Sequence, residues 1–240
     1  MRFCLNVDHV AVLRNARGEA QPDPITFALM AEQYGVDGIV VHLREDRRHV
    51  NDRDLRLMRE LITTKLDLEM AANEEIIKIA CEVVPELATL VPEKRQELTT
   101  EGGLNVIDNI EHLRRTVTRL HDADIAVSLF IEPDIEQIDA AAEIGADLIE
   151  IHTGTYANAV GEENIFEELD RIRLGAKHAK KLGLGVNAGH GLNYQNIKEF
   201  LAVKDIDEVS IGQAVIARAV FVGIEKAVKE MMEIIRNADV

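Results

Sequence analysis

Short apolar runs rich in Val, Ile and Leu recur along the chain at Phe3–Val7, Gly38–Leu43, Leu66–Ala71, Leu87–Val91, Ile125–Ile131, Leu148–His152, Leu184–Ala188 and Val209–Ile211. Each is too short for a helix, and near-continuous apolar runs suit parallel strands covered on both faces. Helical spacing occupies the intervals at Pro24–Tyr34, Asp52–Thr64, Asn73–Val84, Val106–Asp122, Asp134–Ile144, Asn164–Leu182, Asn193–Leu201 and Gln213–Asn237. Several of these segments open on Pro, Asp or Asn, as helix N-termini do. Strand and helix thus alternate about eight times in 240 residues without a linker or a shift of composition. That pattern predicts βαβ units closed into a single-domain (β/α)₈ TIM barrel over residues 1–240, with an open doubly wound sheet as the alternative. The phrases Gly35-Val36-Asp37-Gly38 and Gly145-Ala146-Asp147 read as helix-to-strand turns.

In a parallel barrel, chemistry sits at the C-terminal ends of the strands. The first run ends Asn6-Val7-Asp8-His9 and leads to Arg14 and Arg17; the second ends His42-Leu43-Arg44 and leads to Arg47, Arg48 and His49. The third carries Glu69 between Leu68 and Met70, the sixth carries Glu150 and His152, and the seventh leads to Gly189-His190-Gly191. Side chains alternate faces with period two, so His42 and Arg44 share a face, as do Glu150 and His152. Each such residue has a bland structural explanation, but polar groups delivered by several strands to one end point to a site. Two histidines and two carboxylates, His42, His190, Glu69 and Glu150, suit proton transfer, because His titrates near neutrality and burial raises a Glu into that range. No His-Glu-x-x-His helix or Cys/His ligand pair is present, so a metal is not expected.

Two loops have the character of a phosphate cradle. Gly189-His190-Gly191-Leu192-Asn193 and Ile211-Gly212-Gln213 follow the seventh and eighth runs, where barrels often hold phosphate at a helix N-terminus, with two tight strand-to-helix turns as the alternative. Arg14, Arg17, Arg44, Arg47 and Arg48, with His9 and His49, suggest a second anion site; a solvated ion-pair surface with Glu45 and Asp46 is the alternative for Arg47 and Arg48. The polar stretch Glu93–Gly103 is long for a loop after a strand and reads as a lid, with an ordinary exposed loop as the alternative.

Charge and composition narrow the partners. A formal net charge of −16 argues against nucleic acid or an anionic membrane as the main partner, and no stretch approaches a membrane span. Small phosphorylated substrates remain compatible, since a local Arg and N–H cluster is enough to bind them. Met1 leads straight into the first run with no export signal, and Cys4 and Cys81 are too few for a disulfide framework. A cytoplasmic location is expected.

The phrases Asn6-Val-Asp-His-Val, Leu13-Arg-Asn-Ala-Arg-Gly, Val41-His-Leu-Arg-Glu-Asp-Arg-Arg-His49, Leu68-Glu-Met-Ala, Leu90-Val-Pro-Glu-Lys-Arg-Gln-Glu-Leu-Thr-Thr-Glu-Gly-Gly103, Ile149-Glu-Ile-His-Thr-Gly and Val186-Asn-Ala-Gly-His-Gly-Leu-Asn-Tyr together resemble the pyridoxine 5′-phosphate synthase family, over nearly the whole chain. The resemblance implies condensation of 3-amino-2-oxopropyl phosphate with 1-deoxy-D-xylulose 5-phosphate to pyridoxine 5′-phosphate, phosphate and water, with no cofactor or metal. It implies His42 and Glu69 as proton acceptors, His190 as proton donor and Glu150 as transition-state stabiliser. Asn6, Arg17, Gly191, Gly212 and Gln213 would hold the aminoketone phosphate; Asp8, His9, Arg44, His49 and Thr99 would hold the deoxyxylulose phosphate. A barrel with extra helices and a homo-octamer built from dimers are also implied. Gln213 departs from the family's usual His. If that position offers its backbone N–H, phosphate binding survives; if the imidazole charge matters, affinity falls. Outside the resemblance, the runner-up functions are a phosphosugar isomerase or aldolase barrel, with Lys94 the nearest Schiff-base candidate, and a non-catalytic phosphosugar-binding barrel.

Overall fold

The computed structural model describes residues 1–93 and 102–237. Eight parallel strands, β1 (Arg2–Asn6), β2 (Gly38–His42), β3 (Lys65–Met70), β4 (Leu87–Leu90), β5 (Ala126–Ile131), β6 (Leu148–His152), β7 (Gly185–Gly189) and β8 (Glu208–Ile211), pair in sequence order, and β8 closes on β1. Leu5 of β1 stands in register with Ile39 on one side and Ile211 on the other. The expected closed barrel is therefore present, and the open sheet is excluded.

The helices are α1 (Asp8–Arg17), α2 (Pro24–Gln33), α3 (Asp52–Leu61), α4 (Glu74–Val83), α5 (Ile110–His121), α6 (Ile135–Glu143), α7 (Gly154–Asn158), α8 (Glu162–Lys181), α9 (Ile197–Phe200), α10 (Gln213–Val222) and α11 (Ile224–Asn237). Local chemistry starts several of them. Asp23 caps α2 through the Ile25 N–H, ahead of Pro24, and Asn51 and Asp54 form a reciprocal capping box on α3. Three helices exceed one per strand. The first, α1, begins where an open loop was expected after β1; its exposed Val12 and Leu13 blur the apolar face that would have betrayed it. The second, α7, has five residues, too few for a periodic signal. The third arises because the expected helix over 213–237 breaks at Gly223 into α10 and α11.

The two sides of the sheet differ sharply. Leu66, Leu68, Val127, Leu129, Ile149, Ile151, Val186, Val209 and Ile211 are buried in the main apolar core. The other face of the strands carries Lys65, Asp67 and Glu69 from β3, Thr89 from β4, Ser128 from β5, Glu150 from β6, Asn187 from β7 and Glu208 from β8. So β3 alternates polar and apolar residues rather than running apolar throughout. The polar side is internally bonded: Thr89 Oγ1 donates to Asp67 Oδ1 at 2.8 Å, Lys65 pairs with Glu208, and Asn187 Nδ2 donates to Glu208 Oε1 at 3.3 Å.

The opposite, N-terminal end of the barrel is stitched by carboxylates. Asp37, Asp147 and Asp207 each precede a strand and accept from the N–H of Phe3, Val127 and Val186 on the preceding strand. Each also donates its own N–H back to the same residue's carbonyl. The two Gly-x-Asp turns recognised in the sequence are two instances of this brace.

Candidate active site

A cavity of about 730 Å³ lies at the C-terminal ends of the strands. Its lining includes Asn6, Asp8, His9, His42, Arg44, His49, Glu69, Glu150, His190, Gly191, Gly212 and Gln213. Arg17 is exposed in the last turn of α1 and is not part of that lining, although Asn15 and Ala16 are. Thr99, Lys94 and the body of the expected lid lie outside the described residues.

Position follows from strand register. His42 closes β2 opposite Glu69 of β3, and Glu150 of β6 stands opposite Phe130 and Asn187. Asp8, buried at the start of α1, accepts from the His42 N–H at 2.9 Å and from Asn6 Nδ2 at 2.9 Å, tying β1 to β2. The His42 ring lies between two carboxylates. Its Nε2 meets Glu93 Oε1 at 2.9 Å, and its Nδ1 lies 3.8 Å from Glu69 Oε2. Glu93, three residues past β4, opens the stretch that the sequence reads as a lid and is given no role at the site there.

The electrostatics set Glu69, Glu150 and His190 apart. Burial lifts the Glu69 carboxyl well above the usual range, and Glu150, Asp8 and Asp67 push in the same direction. Glu150 is pushed up to about 8, by burial and then by Asp67 and Glu208, with Lys65 opposing. His190 is lowered to about 4, by burial and then by repulsion from His152 and His9. Burial likewise lowers His9 and His49, with Asp8 opposing in both cases. The cavity therefore sets the raised carboxyls of Glu69 and Glu150 beside the lowered imidazoles of His190, His9 and His49, a set able both to give and to take protons. Glu150 has room only because Gly189 has no side chain: a Cβ there would meet Glu150 Oε1 at 2.1 Å.

The arginine cluster proposed as a second anion site divides. Arg14 is buried and forms a two-pronged pair with Asp54 at 2.9 and 2.7 Å, Arg47 pairs with Asp52 and Glu75, and Arg48 pairs with Asp46. Arg14 and Arg47 are structural ion pairs; Arg44 and Arg48 reach the cavity. At the other side, Gly212 and Gln213 stand at the N-terminus of the ten-residue α10, whose first N–H groups have no partner within the helix. Among the described residues no group of three or more His, Cys, Asp or Glu has metal-holding geometry, and no helix is long and apolar enough to cross a membrane.

A second cavity of about 730 Å³ adjoins the first and shares His190 with it. His152 lines it, with its Nδ1 2.7 Å from Glu132 Oε1. His152 was placed on the face of Glu150 by alternation without a role. Glu132 follows β5, the one strand end passed over in the sequence, and the strand-end rule would have found it.

Solved structures share the fold at low identity. One described as native KDPGal superposes with a TM-score of 0.66 at 9% identity, covering 100% of this chain and 96% of that one. The phosphoribosyl anthranilate isomerase of Thermus thermophilus does so with a TM-score of 0.62 at 16% identity, covering 99% of each chain. Sequence relatives are much nearer. The pyridoxine 5′-phosphate synthase of Chlorobium luteolum (strain DSM 273 / BCRC 81028 / 2530) is 57% identical over 98% of this chain and 100% of its own. That of Geobacter sulfurreducens (strain ATCC 51573 / DSM 12127 / PCA) is 53% identical over 98% of each. The family model for the pyridoxal phosphate biosynthesis protein PdxJ matches residues 3–237, and the chain belongs to that family.

Proposed function

We propose that this chain, acting as one catalytic domain over residues 1–240, condenses 3-amino-2-oxopropyl phosphate with 1-deoxy-D-xylulose 5-phosphate to give pyridoxine 5′-phosphate, phosphate and water. The observation that carries the reading is the convergence of His42, Glu69, Glu150 and His190 on one cavity edged by the turns at Gly191 and Gly212. Family membership and relatives named for this activity support it.

The reaction joins an amine to a carbonyl, sheds water and phosphate, and closes a ring, so protons must move at each stage. The aminoketone arrives as an ammonium. Its positive charge beside Glu69 favours the carboxylate, which then takes the ammonium proton and frees a nucleophilic amine. His42, held between Glu69 and Glu93, accepts a proton at the condensing carbon, and Glu93 stabilises the imidazolium that results. His190 on the opposite wall first picks up one of the protons released in the condensation and then gives it to the departing oxygen; the low basicity of its ring makes the short-lived imidazolium a strong acid. Glu150, with a carboxyl that is mostly protonated near neutrality, donates a hydrogen bond to charge developing on the substrate. The α10 N-terminus at Gly212 and Gln213 cradles the aminoketone phosphate, together with Asn6 and Gly191; Arg17, outside the cavity lining, would have to swing in to join them. Asp8, His9, Arg44, His49 and Thr99 serve the deoxyxylulose phosphate.

Incubation with both substrates, following pyridoxine 5′-phosphate and released phosphate together, tests the assignment; release of neither product overturns it. For the site, Glu69→Gln is expected to bind both substrates and lose about a hundredfold or more in kcat. Normal turnover by that variant removes Glu69 from the mechanism. We place the enzyme in the cytoplasm as a homo-octamer built from dimers. Exposed Phe221 (85%) and Val160 (83%) offer apolar surface for assembly, and light scattering in solution reads the subunit number.

A further inference from the structure

The segment Ile149-Glu-Ile-His-Thr-Gly contributes Glu150 to the proposed mechanism and leaves His152, Thr153 and Gly154 without a task. Their geometry centres on His190. The rings of His152 and His190 pack with centroids 5.1 Å apart, and Phe130 lies against both, at 5.2 and 6.4 Å. Thr153, fully buried, donates its hydroxyl to the carbonyls of Gly189 at 2.8 Å and His190 at 2.6 Å, and its N–H to Gly189 O at 2.9 Å. Those bonds hold the backbone of His190 at φ 76°, a left-handed conformation that a non-glycine residue adopts at a cost. Glu132 holds the other end. Its Oε1 meets His152 Nδ1 at 2.7 Å and accepts from the Gly103 N–H at 3.0 Å. The fit leaves no slack: a Cβ on Gly154 would meet His152 Nε2 at 2.3 Å and His190 Cδ2 at 3.2 Å.

We propose that Glu132 and His152 form a positioning pair that sets the orientation and charge of the His190 imidazole and ties it, through Gly103, to the chain following β4. A strained backbone persists where its surroundings over-determine it, and here the surroundings are two bonds from Thr153 and a ring wall from His152. The bond to the Glu132 carboxylate fixes the His152 ring beside His190. Burial first, and then its interaction with His152, keep the His190 ring a weak base and so a ready donor once protonated. The Glu132 carboxyl stays below the usual carboxylate range: burial opposes this, while the bonds from His152 and the Gly103 N–H and the charges of His152 and Arg171 outweigh it. Around this pair, the titratable groups in reach are His9 across the main cavity, Arg171, and Glu167 and Glu168 lining the adjoining one.

The inference rests on His190 acting as proton donor, and the test separates the two ideas. Carbethoxylation of His190 by diethyl pyrocarbonate, followed by peptide mass spectrometry across pH, reads the titration of that ring without any turnover. In His152→Gln the His190 midpoint is expected to rise by about one pH unit. kcat is expected to fall about tenfold, with both KM values within about twofold of the parent. Glu132→Gln shifts both readouts the same way, and Glu132→Asp restores them. An unchanged His190 midpoint in folded His152→Gln and Glu132→Gln proteins overturns the pair. If His190→Asn keeps full turnover, the donor assignment fails, while the labelling midpoints still decide whether the pair governs the ring. Should His152→Gln not fold, the Glu132→Gln and Glu132→Asp comparison carries the same decision.

Discussion

The Nε2 atom of His42 meets Glu93 Oε1 at 2.9 Å, on the side of the ring away from Glu69. Both side chains are almost fully buried, and Glu93 Oε2 also accepts from the Glu45 N–H at 3.2 Å. Burial works against the Glu93 charge, yet the bond and charge of His42, the Glu45 N–H and Arg44 together hold the carboxyl below its usual range. The folded-state value is thus depressed, so Glu93 contributes stability above its unfolded value and loses it as pH falls through the folded one. Glu93→Gln keeps a hydrogen-bonding partner for His42 but removes the charge that supports its imidazolium. Steady-state kinetics should show kcat lower by about tenfold with KM little changed; an unaltered kcat would show that Glu93 only fills space.

Glu150 makes the enzyme less stable as pH rises. Its folded carboxyl is raised from 4.5 to about 8, so the folded state binds more protons than the unfolded state between those values. Stability from this group is therefore greatest below about pH 4.5 and declines up to about pH 8. The expected cost at the top of that window is a few kcal/mol. Glu150→Gln should raise the Tm at pH 8 by several degrees, raise it far less at pH 5, and lower turnover. Equal Tm differences at the two pH values, read by calorimetry, would refute the linkage.

At Gly189 the obstacle to a side chain is the end of Glu150, at 2.1 Å, rather than backbone. The barrel should accept Gly189→Ala by displacing the Glu150 carboxyl. Circular dichroism should be unchanged while kcat falls about a hundredfold, the usual penalty for moving a reacting group by about 1 Å. Wild-type turnover would show that Glu150 need not sit where it does.

Arg14 illustrates how a plausible ligand becomes a strut. Its guanidinium is spent on buried Asp54, and Arg14→Met leaves that carboxylate with Arg53 and backbone groups alone. A loss of about 3 kcal/mol in folding stability is expected, the scale for breaking a buried pair. Residual folded enzyme should bind both substrates with unchanged KM. A KM raised severalfold at full stability would return Arg14 to the anion site.

Periodicity alone determined the alternation of eight strands with helices, because each apolar run is too short for a helix; that the sheet closes rather than staying open was decided by the pairing of β8 with β1. The strand-end rule also delivered His42, Glu69, Glu150 and His190 to one mouth, because parallel strands all finish at the same end. Their division into bases, acid and stabiliser came from the family resemblance rather than from spacing. Tertiary structure decided the rest. Whether Arg14 meets a substrate or Asp54 depends on an ion pair between α1 and α3, 40 residues apart, which no local pattern encodes. Glu93 and Glu132 acquire partners only when the chain after β4 and the end of β5 close over histidines from β2 and β6. The raised carboxyls of Glu69 and Glu150 have the same origin. A carboxyl at a strand end is ordinary in sequence, and only burial, with Glu150, Asp8 and Asp67 beside Glu69 and with Asp67 and Glu208 beside Glu150, all brought together by closing β8 onto β1, lifts it above its usual range.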